Sequence, residues 1–234
     1  MYFIGSRGIS YQFDWSFLVL IGAFFFSLIV QISMQNTFTN FSKVAARNGM
    51  TGAQVAQMIL QSEGLYNVQV RQVHGSLTDH YDPRTKTVNL SETVFNQRSL
   101  AAQGVAAHEC GHAIQDARSY GPLRVRSTLV PIAGFGSRFS WILFIFGLLF
   151  SLPILINIGI ILFSLALLFQ LVTLPVEFNA SKRALVKLSE SGFMQQEELV
   201  GAKKVLGAAA MTYVASVATS LAALMRMLFL SRRR

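Results

Sequence analysis

Long apolar segments constrain the fold of this chain more than any other feature. Residues 15–34 form one run, and residues 130–174 form a longer one. A helix rises 1.5 Å per residue, and about 20 apolar residues cross the hydrocarbon core of a bilayer once. The first run therefore predicts one membrane-spanning helix. The second, about twice as long as one crossing requires, predicts two spans joined as a hairpin.

The middle of the long run and a last apolar segment complete the predicted membrane part. Pro153 interrupts the run, which predicts spans over 131–151 and 154–174, and Pro175 is expected to close the hairpin. Residues 205–230 are apolar and rich in Ala, Ser, Thr and Gly, which favour close packing of helices in membranes. The pattern predicts about four transmembrane helices, the first retained as an N-terminal anchor.

The composition agrees with a membrane protein. Of the 234 residues, 52% are hydrophobic and 13% are charged, whereas soluble domains carry about 25% charged residues. The net charge is +9, and the basic residues flank apolar segments, so the lipid bilayer and not nucleic acid is the expected partner. The single cysteine, Cys110, excludes an internal disulfide and is expected to be a buried, unreactive thiol.

The polar segment 35–127 predicts a small α+β domain. Alternating apolar and polar residues indicate short strands, turn residues separate them, and Ser or Thr stands before each helical stretch. The predicted elements are, in chain order, a helix over 52–62 capped by Thr51, strands over 68–73, 77–81 and 85–90, and a helix over 99–117 capped by Ser99.

The segment 108–112, His-Glu-Cys-Gly-His, carries the strongest chemical signal. Residues four apart project from the same face of a helix, so His108 and His112 can bind one ion. Glu109 lies about 100° round the helix, where its carboxylate can act as a base on a water beside the ion. This HExxH pattern predicts a zinc-dependent hydrolase. The alternative is an ordinary pair of surface or core histidines, but the whole chain has only four histidines.

A catalytic zinc needs a third protein ligand. Glu177 is the best candidate, because the predicted hairpin returns the chain to the membrane face that it left after the HExxH helix. An ordinary glutamate interacting with a helix dipole is the alternative for this residue. No histidine follows His112, which excludes the longer HExxHxxGxxH pattern. The weaker candidates are His74, His80, Glu63 and Glu92 upstream, and Glu190, Glu197 and Glu198, which have the pattern of solvated helix faces.

Four segments together resemble the YugP-type family of neutral zinc metallopeptidases of bacterial membranes. They are HECGHAIQ at 108–115, LPVEFNASKRAL at 174–185, LTDHYDPRTKTVNLS at 77–91 and VLGAAAMTYVA at 205–215. The resemblance covers most of the chain, and the ordered set carries it rather than HExxH alone. It implies a zincin-like metallopeptidase domain, one Zn²⁺ per chain, and hydrolysis of peptide bonds in a protein or peptide substrate.

A more distant similarity to HtpX-type peptidases concerns the surroundings of the ligands. There the third ligand is the Glu of an E-x-x-A-D stretch, which falls on Glu177 in this chain. Ser181 stands where that pattern has an Asp, and such an Asp orients a ligand histidine. The candidates for orienting a ligand are Asn179 and Ser181, and the candidates for stabilising an oxyanion are His80 and, less strongly, Arg183 and Tyr213.

Basic residues predict a metal domain on the cytoplasmic side of a bacterial plasma membrane. Lysines and arginines cluster after the first span, before the second and after the third, whereas Arg7 alone precedes the first. The terminal arginines at 232–234 disagree, because a spanning segment over 205–230 would place them outside. Either this last segment does not cross the membrane, or the tail overrides the charge rule.

The leading hypothesis is a membrane-embedded zinc endopeptidase that acts on membrane or membrane-proximal proteins. The alternative is a non-catalytic membrane scaffold or adaptor with a structural zinc site, and a transporter is disfavoured because HExxH lies outside the long apolar runs. The expected organisation is an anchor helix over 1–34, a metallopeptidase domain over 35–127, a transmembrane hairpin over 128–175, a polar helical segment with the third ligand over 176–204, and an apolar helix with a basic tail over 205–234.

Overall fold

The computed structural model describes residues 15–190 and 194–232. Expectations about the segment before residue 15 and about the last two arginines fall outside these ranges. Within them the chain is mainly helical and contains one small sheet. The helices are α1 (Trp15–Ser42), α2 (Gly52–Ser62), α3 (Glu92–Phe95), α4 (Leu100–Ala117), α5 (Gly121–Leu149), α6 (Pro153–Glu190) and α7 (Gln196–Arg232), and the strands are β1 (Gln69–Val73), β2 (His80–Asp82) and β3 (Thr87–Ser91).

A capped helix and a three-stranded sheet form much of the polar domain. The Thr51 hydroxyl accepts a hydrogen bond from the Gln54 backbone N–H, and the Gln54 side chain accepts one from the Thr51 N–H, so α2 begins where predicted. The central strand β3 is buried along its length, parallel to β1 and antiparallel to β2. The prediction of a strand over 77–81 is wrong in its start, because the Asp79 carboxylate accepts the Ser91 N–H instead of continuing the ladder.

Helix α4 lies at the centre of the structure. Ser99 caps it by accepting the Ala102 N–H, as predicted. Its many small residues allow α2, α6 and α7 to pack against it. Cys110 is fully buried on the side of α2, with its thiol 3.5 Å from the Ala56 carbonyl oxygen. The expected burial of Cys110 is confirmed, and burial raises the pKa of its thiol, in the direction that lowers reactivity.

Three helices, α1, α6 and α7, are each long and apolar enough to cross a membrane. Helix α5 is a fourth candidate if its two parts, 121–131 and 133–149, count as one span. The axes of the two parts differ by 46°, and the bend lies next to Pro131. Proline has no backbone N–H and therefore cannot donate the hydrogen bond of a regular helix. Helices α5 and α6 pack against each other as the predicted hairpin, and α1 packs against α7.

The expectation that Pro175 closes the hairpin is wrong. It lies inside α6, which continues without interruption to Glu190. The helix extends past the proline because its next turn is buried where α6 packs against α4. The buried residues of this turn are Val176, Glu177 and Ala180. Glu177 therefore does not begin a new helix. A single rigid element carries it from the membrane part to the site.

Gly121 and Pro122 form the first turn of α5, where a proline is tolerated because its missing N–H has no helical partner. One other local expectation is corrected. Glu198 was expected on a solvated face. It is 7% exposed, and its carboxylate accepts the backbone N–H groups of Arg47 and Gln195.

Candidate metal centre

Helices α4 and α6 bring two histidines and one glutamate together. The Glu177 Oε2 atom lies 3.2 Å from His108 Nε2 and 3.5 Å from His112 Nε2. One ligand atom from each residue lies within 4.8 Å of the other two. In a tetrahedral zinc site with bonds near 2.0–2.1 Å, neighbouring ligand atoms are about 3.3 Å apart. The spacing of the three groups therefore fits a zinc ion.

The orientation of His112 is set by a residue that the sequence analysis did not select. The buried Gln115 side chain donates its amide N–H groups to the Val176 carbonyl oxygen at 2.8 Å and to Asn179 Oδ1 at 3.0 Å. Its Oε1 atom is therefore the one that meets His112 Nδ1, at 3.0 Å. This contact places the imidazole proton on Nδ1 and leaves the Nε2 lone pair directed at Glu177.

Ser181 makes the corresponding contact with His108. Its hydroxyl lies 3.1 Å from His108 Nδ1, one turn along α6 from Glu177. A serine hydroxyl can accept the Nδ1–H of His108, and in that tautomer the Nε2 lone pairs of both histidines face one carboxylate oxygen. This arrangement is repulsive unless a cation lies between them, so the donor set has the chemistry of a zinc site as well as its dimensions.

Glu109 lines the cavity beside these three residues. The cavity measures about 160 Å³ and is bounded by α1, α4, α6, α7 and the loop before β2. Glu109 is 7% exposed, and burial raises the pKa of its carboxyl to about 7. Within the described residues, its carboxylate is not one of the three groups whose ligand atoms cluster. The carboxylate is thus placed to exchange a proton with a molecule in the cavity, not to complete the ligand set.

Apolar side chains form most of the remaining cavity wall. Met34 and Phe38 come from α1, at the end of the predicted span and one turn beyond it, and Tyr213 contributes a ring from α7. The walls come largely from helices that are long enough to cross a membrane. The cavity therefore lies where the membrane helices meet the polar domain.

Charged and polar groups surround Glu177 on its other side. Arg126 of α5 places Nη2 3.8 Å from Glu177 Oε1, the oxygen that does not face the histidines. Asn179 does not touch the ligand cluster. It accepts hydrogen bonds from Gln115 and, at 2.7 Å, from Arg183 Nε. Asn179 thus supports His112 through Gln115.

His80 does not line the cavity. One ring nitrogen lies 2.9 Å from the Thr78 carbonyl oxygen and the other 3.2 Å from Asn89 Nδ2, so both are already engaged. The geometry therefore does not support the expected oxyanion contact from His80. Asp79, the residue before it, does line the cavity.

Comparison with known proteins identifies the family of this chain. Residues 16–232 match the family model described as "Putative neutral zinc metallopeptidase". The chain is 48% identical, over 215 residues that cover 91% of it and 96% of the relative, to the protein named "Putative membrane protease YugP" of Bacillus subtilis (strain 168). No solved structure matches the chain. The resemblance inferred from four sequence segments is thereby confirmed, and the chain belongs to this neutral zinc metallopeptidase family.

Proposed function

We propose that the protein is a membrane-embedded, zinc-dependent endopeptidase that hydrolyses peptide bonds of membrane or membrane-proximal proteins. One observation carries this proposal. The buried carboxylate of Glu109 shares a cavity with His108 and Glu177, which together with His112 place their ligand atoms at the spacing of a zinc site. Family membership and the long apolar helices support the same conclusion.

His108, His112 and Glu177 are the residues that would hold the ion, one per chain. When bound there, zinc supplies a Lewis acid that polarises a carbonyl group and acidifies water. Glu109 then accepts a proton from the attacking water and delivers it to the departing amine. Ser181 and Gln115 keep the two imidazoles oriented through their Nδ1 atoms. Tyr213, which lines the cavity, supplies a hydroxyl for the oxyanion that forms on the carbonyl.

The cavity walls support a substrate near the membrane. Met34, Phe38 and Val205 line the approach with apolar side chains that belong to α1 and α7. A peptide segment that emerges from a bilayer can meet these surfaces without leaving the interface. Basic residues cluster at the ends of the membrane helices that adjoin the metal domain, and such residues favour the cytoplasm. We therefore place the metal domain on the cytoplasmic side.

A scaffold with a structural zinc site is the competing function. A structural site is closed by four protein ligands. In the described residues only three such groups cluster, and two of them, His108 and Glu177, line the cavity that Glu109 also lines. Three ligand groups beside a cavity with a buried carboxylate favour catalysis over a purely structural role.

Substitution of the proposed base tests the function directly. Purified protein in detergent micelles, loaded with zinc, is assayed with fluorescein-labelled casein and with an internally quenched apolar peptide. We expect Glu109→Gln to lower the rate at least about 100-fold, because the proton acceptor is lost. It should retain about one zinc per chain by elemental analysis. The matched control is Glu197→Gln on the exposed start of α7, which should keep full activity. Full activity of Glu109→Gln would refute the mechanism.

A further inference from the structure

A second concave surface lies between the water-side ends of α6 and α7. It has an open volume of about 600 Å³, considerably larger than the cavity at the metal centre. Its walls are one face of each helix, and its floor is apolar. We call it the α6–α7 groove. Its lining includes Phe178, Lys182 and Val186 on α6, and Val200, Lys203 and Gly207 on α7.

The groove adjoins the metal centre. Three residues, Ser181, Leu206 and Ala210, line both the groove and the cavity that contains Glu109. Ser181 also contacts His108. The groove and the cavity are therefore neighbours, and a chain that lies in the groove is held next to the proposed reacting centre. This adjacency favours a peptide substrate over a lipid headgroup as the occupant.

The groove combines apolar surface with positive charge. Phe178, Val186 and Val200 are 48%, 39% and 47% exposed, so large apolar side chains are open to contact on both walls. Lys182 and Lys203 stand on opposite walls, both exposed. No carboxylate lines the groove among the described residues, and none of the ion pairs there involves either lysine. The complementary ligand has apolar side chains and carboxylates.

We propose that the α6–α7 groove binds the part of the substrate next to the scissile bond and selects segments that combine apolar with acidic residues. This inference rests on the proposed peptidase function and names its substrate class. Extended peptides present side chains to both walls of a cleft, so apolar residues would contact Phe178 and Val200 while carboxylates meet Lys182 and Lys203. The preference for acidic residues is a property of these lysines alone and can be removed without touching the metal centre.

Binding can be measured separately from hydrolysis. The zinc-loaded Glu109→Gln variant is used because it should bind peptides without cleaving them. Fluorescence anisotropy measures the binding of two labelled peptides that share an Ala-Phe-Leu core. One peptide carries four flanking glutamates and the other four lysines. We expect the acidic peptide to bind at least about tenfold more tightly at low salt, and the difference to shrink as salt screens the charges.

The chain offers a closely matched charge control. The double variant Lys182→Glu, Lys203→Glu should lower the affinity for the acidic peptide about tenfold and raise the affinity for the basic peptide. Lys204→Glu changes the neighbouring exposed lysine on α7, which does not line the groove, and should alter neither affinity. An equal effect of Lys204→Glu would show a general charge effect and would overturn the proposal.

A steric variant tests the groove without changing charge. A Cβ at Gly207 meets no atom within 4 Å, so Gly207→Phe fills the groove without strain in the helix. Gly207→Phe should lower the affinity for both peptides. Gly22→Phe in α1, where the space is equally open, should leave both affinities unchanged. Unchanged peptide binding by Gly207→Phe would overturn the proposal.

The remaining outcomes separate this inference from the proposed function. If the wild-type protein cleaves acidic and basic peptides equally, the groove proposal fails and the peptidase function stands. If the charge preference in binding is present but no peptide or casein is cleaved, the peptidase function fails while the groove still binds peptide. If nanodiscs containing anionic lipid compete with the peptide and lose affinity in the double lysine variant, whereas neutral nanodiscs do not compete, the occupant is a lipid headgroup and the peptide assignment is overturned.

Discussion

Gly111 of α4 lies directly against the backbone of Ala180 in α6. A Cβ atom at position 111 would come within 2.5 Å of the Ala180 carbonyl oxygen. Gly111 stands between the two histidines of the metal centre, and Ala180 lies one helical turn beyond Glu177. The separation between the proposed ligands on the two helices is therefore set by the absence of a side chain at position 111.

The first prediction follows from this contact. Gly111→Ala would force α4 and α6 apart, because the neighbouring atom is backbone and cannot rotate away. We expect a loss of about 1–3 kcal/mol in the free energy of unfolding, and weaker zinc binding because Glu177 moves away from the histidines. Thermal unfolding in detergent and zinc content per chain measure both effects. Gly207→Ala, at an exposed helical glycine with open space, should be neutral or stabilising by up to about 1 kcal/mol.

The second prediction concerns the ligand contributed by α6. Glu177→Gln keeps the size of the side chain but removes the negative charge that faces both Nε2 atoms, so zinc affinity should fall at least about tenfold. Zinc should raise the melting temperature of the wild-type protein, since it binds only the folded state, and EDTA should abolish this increase. Glu190→Gln, at the exposed end of the same helix, should retain the zinc-dependent increase. An unchanged response of Glu177→Gln would exclude this residue as a ligand.

The third prediction tests Gln115 as a positioning residue for His112. Gln115→Met has a similar volume but cannot accept the His112 Nδ1–H, so we expect zinc affinity, measured by chelator competition, to fall about 10–100-fold. Gln103→Met is the matched control. Gln103 is also fully buried in α4, but its amide bonds to Asn48 and to the Met50 carbonyl oxygen, away from the metal centre. Both variants should lose stability, and only Gln115→Met should lose zinc affinity.

Local sequence signals predicted much of the fold and part of the candidate site. The Thr51 and Ser99 caps fixed where α2 and α4 begin, because a cap depends on residues only two or three positions away. The spacing of His108 and His112 placed both on one helical face for the same reason. Glu177 could be selected because a hairpin returns the chain to the face it left, which is a statement about topology and needs no atomic detail.

The remaining features depend on packing that a single sequence does not reveal. Pro175 carries a local signal for a helix end, but burial of the next turn against α4 outweighs it. Glu198 has the pattern of a solvated face and is instead bonded to the backbone of Arg47, over 150 residues away in the chain. Gln115, three residues after His112, had a usable signal, because side chains three apart on a helix are neighbours. Its partners on α6 required the structure.

The fourth prediction concerns the side of the membrane on which the metal domain lies. Basic residues favour the cytoplasm for this domain, while the tip of the α5–α6 hairpin carries no charge, so the tip should be external. Cys110→Ala removes the only cysteine at a buried helical position where Ala is well tolerated. In that background, Leu152→Cys at the exposed hairpin tip should react with a membrane-impermeant maleimide in intact cells. Lys204→Cys, exposed near the groove, should react only after permeabilisation. The opposite labelling pattern would place the metal domain outside, where the peptidase would meet a different set of substrates.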